Sequence, residues 1–279
     1  MVQASEQRST AISCRAVSKR FAGVVALEDV SLQIARGEIA ALIGPNGAGK
    51  TTLFNCITGT LHPDSGEIWL GDERIERRRS VTIARLGLAR TFQNLRMFKG
   101  LSAYESVLAA AGRRWLGHQR RSSAPSPFGF PASPRGRALA ALEAVGLRDR
   151  ADADVSKLGL VEQRRLEIGR ALATEPRVLL LDEPAAGTTP REALDLVALI
   201  RRLNSETGLT VLLIEHTMAF VMECAAVVHV LYFGRLMRSG TPAEILADSE
   251  VRNAYLGARV ARSDETRRRP HADVVRQER

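Results

Sequence analysis

The chain has 279 residues, 45% of them hydrophobic, which allows one large globular domain or a core with a smaller subdomain and excludes a wholly disordered chain. Forty Lys and Arg against 31 Asp and Glu leave a formal charge of +9, suited to an acidic partner, an anionic membrane surface or a phosphate-bearing ligand; the excess lies in runs such as Arg77–Arg79 and Arg267–Arg269, which read as solvated faces and make no case for nucleic acid. No apolar run reaches the ~20 residues needed to cross a bilayer, MVQASEQRST has no signal-peptide core, and Cys14, Cys56 and Cys224 have neither disulfide nor metal-ligand spacing, so a reducing compartment is the expectation.

In chain order, residues 1–10 read as a polar extension, and apolar stretches bounded by Gly predict strands at 11–17, 24–34 and 38–43. A helix is predicted at 50–58 and a strand at 66–70. From about Ser102 to Ala173 the periodicity is helical with no convincing strand, broken by SSAPSPFGFPASPRG at 122–136, a Pro- and Ser-rich loop between two helices. VLLLD at 178–182 and TVLLI at 210–214 are apolar throughout, as strands buried on both faces should be, with helices at 190–205 and 217–224. Alternating strands and helices predict an α/β fold with a mostly parallel sheet and an inserted helical subdomain. The final stretch, ARSDETRRRPHADVVRQER, lacks an apolar face and reads as a mobile tail.

Between the strand ending at Ile43 and the helix at 50–58 stands GPNGAGKTT, residues 44–52. It fits the phosphate-loop pattern G-x-x-x-x-G-K-[ST] with a strand before it and a helix after it. Gly44, Gly47 and Gly49, with Pro45, Asn46 and Ala48 between them, let the backbone wrap closely and aim N–H groups at phosphate oxygens. Lys50 would reach the β and γ phosphates, the Thr51 hydroxyl would help hold Mg²⁺, and Thr52 is a further phosphate contact.

VLLLDEP places Asp182 and Glu183 where a buried parallel strand emerges, the edge at which open α/β sheets bind ligands. Asp182 suits a metal partner, directly or through water, and Glu183 suits a base acting on water that attacks the γ-phosphate. Alone the pair would read as a helix cap; beside a phosphate loop the catalytic reading is preferred. TVLLIEH delivers His216 to the same edge as a candidate γ-phosphate contact.

These motifs in this order resemble the ATP-binding subunit of ABC transporters over roughly residues 11–257. The details FNCITG, GLARTFQNLRMFKGLSAYESVL, QRRLEIGRALA, LLLDEPAAG, VLLIEH and VRNAYLG are most similar to the branched-chain amino acid uptake ATPases, with lipopolysaccharide export and urea or amide uptake ATPases sharing several. The resemblance implies an ATPase domain over 11–260 with a small antiparallel β subdomain, a helical subdomain at about 94–174 and a basic tail at 261–279. It implies that Gln93 contacts Mg²⁺ and the attacking water, and that Phe21 stacks on adenine, core packing being the alternative for Phe21. It further implies a peripheral subunit on the cytoplasmic face of the inner membrane, working as a homo- or heterodimer on permease subunits with a periplasmic substrate-binding protein. The segment 94–116, with Phe98 and Tyr104, would dock on the permease or pack helices internally.

The signature segment that clamps the partner subunit's γ-phosphate departs from the family here. In LGLVEQRRLEI, Leu158 and the following helix match, but Gly159 stands for Ser, Val161 for Gly and Glu162 for Gln. Losing a hydroxyl bonded to a charged group is worth roughly 1.5–3 kcal/mol, and Glu162 brings negative charge toward phosphate, so the expectation is an intact site of its own and a weak lid for the partner. PAAGTTP at 184–190 lacks the Asp of many relatives, with Thr188 and Thr189 as substitute hydroxyls. Two other readings are a nucleotide-binding regulatory module with little turnover, disfavoured by Glu183 and His216, and an ABC ATPase acting on nucleic acid, whose duplicated ATPase or coiled-coil insertion is absent.

Overall fold

A computed structural model describes residues 10–91, 98, 100–116 and 127–254, without the side chains of 113–116. Among these residues two sheets form, a four-stranded one in the order β2-β1-β4-β5 and a six-stranded one in the order β10-β9-β3-β8-β7-β6.

The six-stranded sheet is the core. Its strands are β3 (Ile39–Ile43), β6 (Leu88–Arg90), β7 (Val178–Asp182), β8 (Thr210–Ile214), β9 (Val227–Tyr232) and β10 (Arg235–Gly240). All neighbours pair in parallel except β10, which returns antiparallel to β9. Every residue of β3, β7 and β8 is buried, and the period of two splits them cleanly. Ile39, Ala41 and Ile43, Leu179 and Leu181, and Val211 and Leu213 pack on one face with the helices. Ala40 and Leu42, Val178 and Leu180, and Leu212 and Ile214 pack on the other with the helix that follows β3 and with the second sheet. Continuous apolar sequence is therefore what two covered faces require.

The second sheet is antiparallel: β1 (Thr10–Phe21), β2 (Val24–Ala35), β4 (Ser65–Leu70) and β5 (Glu73–Arg74). Between the sheets lies α1 (Lys50–Ile57), whose Leu53, Phe54, Cys56 and Ile57 are buried in the same cluster. The fold is thus α/β, with a mostly parallel sheet backed by a smaller antiparallel one.

The short helix α2 (Ser80–Arg85) leads into β6, and the long interval before β7 is helical: α3 (Ala103–Leu116), α4 (Pro134–Ala144) and α5 (Leu160–Leu172). Apart from one isolated bridge, Ser102 to Asp154, no strand interrupts it among the described residues. The helix α4 starts inside the stretch read as loop, because Ser133 accepts a hydrogen bond from Gly136 N and Pro134 occupies the first turn, the position where a missing N–H is harmless. Helices α6 (Pro190–Thr207), α7 (Met218–Cys224) and α8 (Pro242–Ala247) complete the chain order. The predicted tail at 261–279 and most of the predicted extension at 1–10 lie outside the described residues.

Candidate nucleotide-binding and hydrolysis site

The C-terminal edge of β3, β7 and β8 gathers the predicted groups. From β3 the chain enters residues 44–49 and then α1, so the first turn of that helix, whose N–H groups have no acceptor within the helix itself, opens at the edge. Two glycines are obligatory here. Gly44 has φ 151 and a methyl group on it would stand 2.1 Å from Leu231 O; Gly49 has φ 101 and its methyl would stand 2.4 Å from Ala26 O. The loop is held from behind by the β9–β10 turn, where Gly234 N donates to Ala48 O at 3.0 Å. Lys50 Nζ, 9% exposed as a residue, donates to Gly44 O at 2.7 Å and Pro45 O at 2.9 Å, which stretches the ammonium across the concavity rather than into solvent.

Asp182 ends β7 and is buried. Its Oδ2 takes Arg90 Nη2 of β6 at 2.7 Å, with the two side chains 7% and 9% exposed. The same guanidinium donates through Nη1 to Asn55 Oδ1 of α1 at 2.7 Å and lies 5.6 Å from the Phe54 ring. Asn55 is four residues after Thr51 on α1, hence on the same helix face. Arg90 therefore brings the Asp182 carboxylate alongside the face that carries the Thr51 hydroxyl. A carboxylate and a hydroxyl are hard oxygen donors that suit Mg²⁺ when phosphates and water complete its shell. Among the described residues no cluster of three His, Cys, Asp or Glu is placed to hold a metal ion.

Glu183 follows directly, at φ 48, a left-handed conformation rarely adopted by a non-glycine residue. Glu183 N donates to Ile214 O at 3.0 Å. Its carboxylate, 21% exposed, faces the His216 ring, with Oε1 3.8 Å from Nδ1. The two strand ends thus meet as the sequence predicts. Phe21 closes β1 at the hairpin tip opposite Val24 and is 42% exposed, with Lys19 Nζ 5.6 Å from its ring; it is not a core residue, so the packing alternative falls away. Gln93 lies outside the described residues.

The ABC transporter family profile matches residues 27–186, and the profile described as branched-chain amino acid ATP-binding cassette transporter matches 239–261. The branched-chain amino acid transport ATP-binding protein BraF of Pseudomonas aeruginosa is 42% identical over 247 residues, spanning 86% of this chain and 95% of that protein. The chain belongs to the ABC transporter ATP-binding family. LivG of Escherichia coli, a protein of the same description, is 39% identical over 254 residues, 88% of this chain and 97% of that one. The lipopolysaccharide export ATP-binding protein LptB of Escherichia coli is 34% identical over 247 residues, 88% and 97% of the two chains. Among solved structures, a nucleotide-free ATP-binding cassette from an ABC transporter superposes with a TM-score of 0.77 at 27% identity, over 88% of this chain and 98% of that one. The ADP conformation of the cassette MJ1267 gives 0.76 at 27%, over 89% and 99%.

In this ABC ATPase the signature turn has a distinctive local structure. Gly159 is the N-cap of α5, and Glu162 Oε2 accepts Gly159 N at 2.9 Å while its Oε1 lies 3.5 Å from Arg150 Nε. The helix start therefore carries its own carboxylate. Leu158 is buried, and Val161 is half-buried against the helical cluster. The two threonine hydroxyls after the acidic pair are engaged inside their own loop: Thr188 donates to Ala185 O at 2.8 Å, and Thr189 pairs with Glu192 at 2.8 Å as the cap of α6. Tyr104 is half-buried against the helical cluster, whereas Phe98 is exposed under the Arg170 guanidinium at 4.8 Å.

Three residues that join these groups escape a motif reading: Arg90, Asn55 and Glu215. Glu215 is wholly buried beside His216. The available signal was a charged residue closing an apolar strand, at Arg90 in GLAR and at Glu215 in VLLIE.

Proposed function

We propose that this ABC ATPase energises uptake of branched-chain amino acids or related small polar solutes, as a peripheral subunit on permease subunits in the cytoplasmic membrane. It would work with a second ATP-binding subunit and a periplasmic substrate-binding protein. The observation that carries the cargo reading is the match of residues 239–261 to the branched-chain cassette profile, a segment outside the phosphate loop and the acidic strand ends. Identity of 39–42% to BraF and LivG against 34% to LptB supports it over lipopolysaccharide export. Among the described residues no helix is long and apolar enough to cross a membrane, so attachment would be through the permease.

In the chemistry we assign, the loop 44–49 and the first turn of α1 hold the triphosphate through backbone N–H groups, with Lys50 on the β and γ phosphates and Phe21 against the adenine. Thr51, Asp182 and Gln93 would hold Mg²⁺, which supplies neutralising charge on the phosphate oxygens. Glu183 accepts a proton from the water that attacks the γ-phosphorus, the bond to the β–γ bridging oxygen breaks, and His216 steadies the γ-phosphate. Glu162 at the α5 start leaves the partner subunit a poor anion clamp, so a heterodimer would hold one strong and one weak composite site.

The test is affinity purification of the chain from membranes, followed by ATPase assay of the recovered assembly in liposomes. The expected result is co-purification of permease subunits and a second ATPase, with turnover stimulated by leucine-loaded binding protein. Recovery with lipopolysaccharide export components, or no response to any branched-chain amino acid, would overturn the cargo reading.

A further inference from the structure

We infer that Glu215 is a positioning residue for hydrolysis: its carboxylate ties the turn that carries Glu183 to the turn that carries His216 and so fixes the gap between them. The inference rests on the assignment of those two residues to hydrolysis.

The β7–β8 ladder ends at the pair Asp182 and Ile214. Beyond that pair one further backbone bond, Glu183 N to Ile214 O, joins the two strand ends, and it leaves Ala185 and His216 to be fixed by other means. Glu215 is the first residue past the ladder on β8, and it is 0% exposed. Its Oε1 accepts Ala185 N from the turn after Glu183 at 2.9 Å. Its Oε2 accepts His216 N at 3.0 Å and Thr217 N at 3.2 Å. Three amide dipoles from two loops converge on one carboxylate, and among the described residues no Lys or Arg pairs with it. A buried charge compensated only by backbone amides holds those amides firmly, because releasing any one leaves the charge less satisfied.

The backbone of Glu183 shows why such a hold is needed. A residue other than glycine at φ 48 stays there only if its surroundings over-determine it. Glu183 N is fixed on Ile214 O at 3.0 Å, and Ala186 N closes back on Glu183 O at 3.1 Å. Ala185, between these contacts, is held by Glu215 alone through its N–H. The same turn reaches α5, where Arg164 Nη2 donates to Ala186 O at 3.4 Å. Glu215 therefore stands where the histidine turn, the base and the start of the signature helix share one backbone segment.

The experiment uses the assembled transporter and compares Glu215→Gln, Glu215→Asp, His216→Ala, Glu183→Gln and the double variant E215Q/H216A. An amide can present an acceptor on only one side, and aspartate is too short to span both turns. Both substitutions should therefore lower kcat by about 10- to 100-fold, the scale of an ångström-level misplacement. KM and the affinity for fluorescent Mg·ATP should stay within about twofold, since the interaction acts on the chemical step. In the His216→Ala background, Glu215→Gln should cost less than about threefold more, because the two act through one geometry. Should Glu215→Gln fail to assemble, Glu215→Asp carries the same expectation. Fully additive losses, an equal fall in nucleotide affinity, or unchanged kcat would overturn the inference. If Glu183→Gln and His216→Ala themselves leave kcat intact, the underlying reading fails and takes this one with it; if they abolish turnover while both Glu215 variants retain it, only the positioning role falls.

Discussion

Replacing Arg90 with Met keeps an unbranched chain against the Phe54 ring but removes the cation that compensates Asp182. Both side chains are nearly excluded from water, at 9% and 7% exposure, and their contact is 2.7 Å. Removing one member of such a pair strands a buried charge and costs about 3–5 kcal/mol. The lost bond to Asn55 Oδ1 adds less, about 0.5–1.5 kcal/mol, because Asn55 is only half-buried and water can replace the donor. For a domain of this size a loss of 3–5 kcal/mol lowers Tm by about 6–20 °C. The assay is urea and thermal unfolding of the purified chain by circular dichroism, in EDTA so that no metal shields the carboxylate. The double variant R90M/D182N should recover at least half the loss, since a neutral amide needs no counter-ion. A destabilisation under about 1 kcal/mol, or a double variant as unstable as Arg90→Met alone, would refute the reasoning.

Gly49→Ala places a methyl group 2.4 Å from Ala26 O at a φ of 101, so the phosphate loop must shift and titration with fluorescent Mg·ATP should show affinity reduced at least about 100-fold. His229 is buried, and loss of hydration lowers its pKa from 6.5 to about 4, with Nδ1 on Ser239 Oγ at 2.8 Å. The unfolded chain then binds a proton that the folded chain refuses, so stability is full above pH 6.5 and falls by about 3 kcal/mol as pH drops toward 4; His229→Gln should flatten that part of the stability–pH curve. Glu162→Gln, which removes the negative charge at the α5 start, should raise ATP turnover of the assembled transporter by about two- to fivefold, the worth of one charge at a helix end, and no increase at unchanged assembly would speak against the weak-lid reading.

Elements buried on both faces were the most legible. The apolar runs of β3, β7 and β8 match their strands closely, since a strand between a helical layer and a second sheet buries four or five consecutive apolar residues on alternate faces. The strands β1 and β2 were readable from apolar stretches bounded by Gly, though β1 runs on to Phe21, past the predicted end at 17, and their antiparallel arrangement was implied only by the family resemblance. The β9–β10 hairpin was not read, although VVHVLY followed by Phe233 and Gly234, both at positive φ, is a strand entering a two-residue turn. The edge strand β6 has three residues, too few for any periodicity to register. In the site, residues fixed by a local motif were legible, from Gly44 to Thr52 and at Asp182 and Glu183. Arg90 and Asn55 act by pairing with partners far away in sequence, 92 residues in the case of Arg90 and Asp182, and Glu215 reaches Ala185 across 30 residues; such pairing leaves no local pattern.

The measurement that bears most directly on the account is Mg·ATP binding and turnover by Glu183→Gln in the full transporter. If Glu183 is the base that acts on water and Lys50 with the phosphate loop grips the nucleotide, the variant retains Mg·ATP while turnover falls by about 100-fold or more. Turnover equal to wild type, or loss of Mg·ATP binding along with it, would contradict the division of labour between the loop after β3 and the acid after β7.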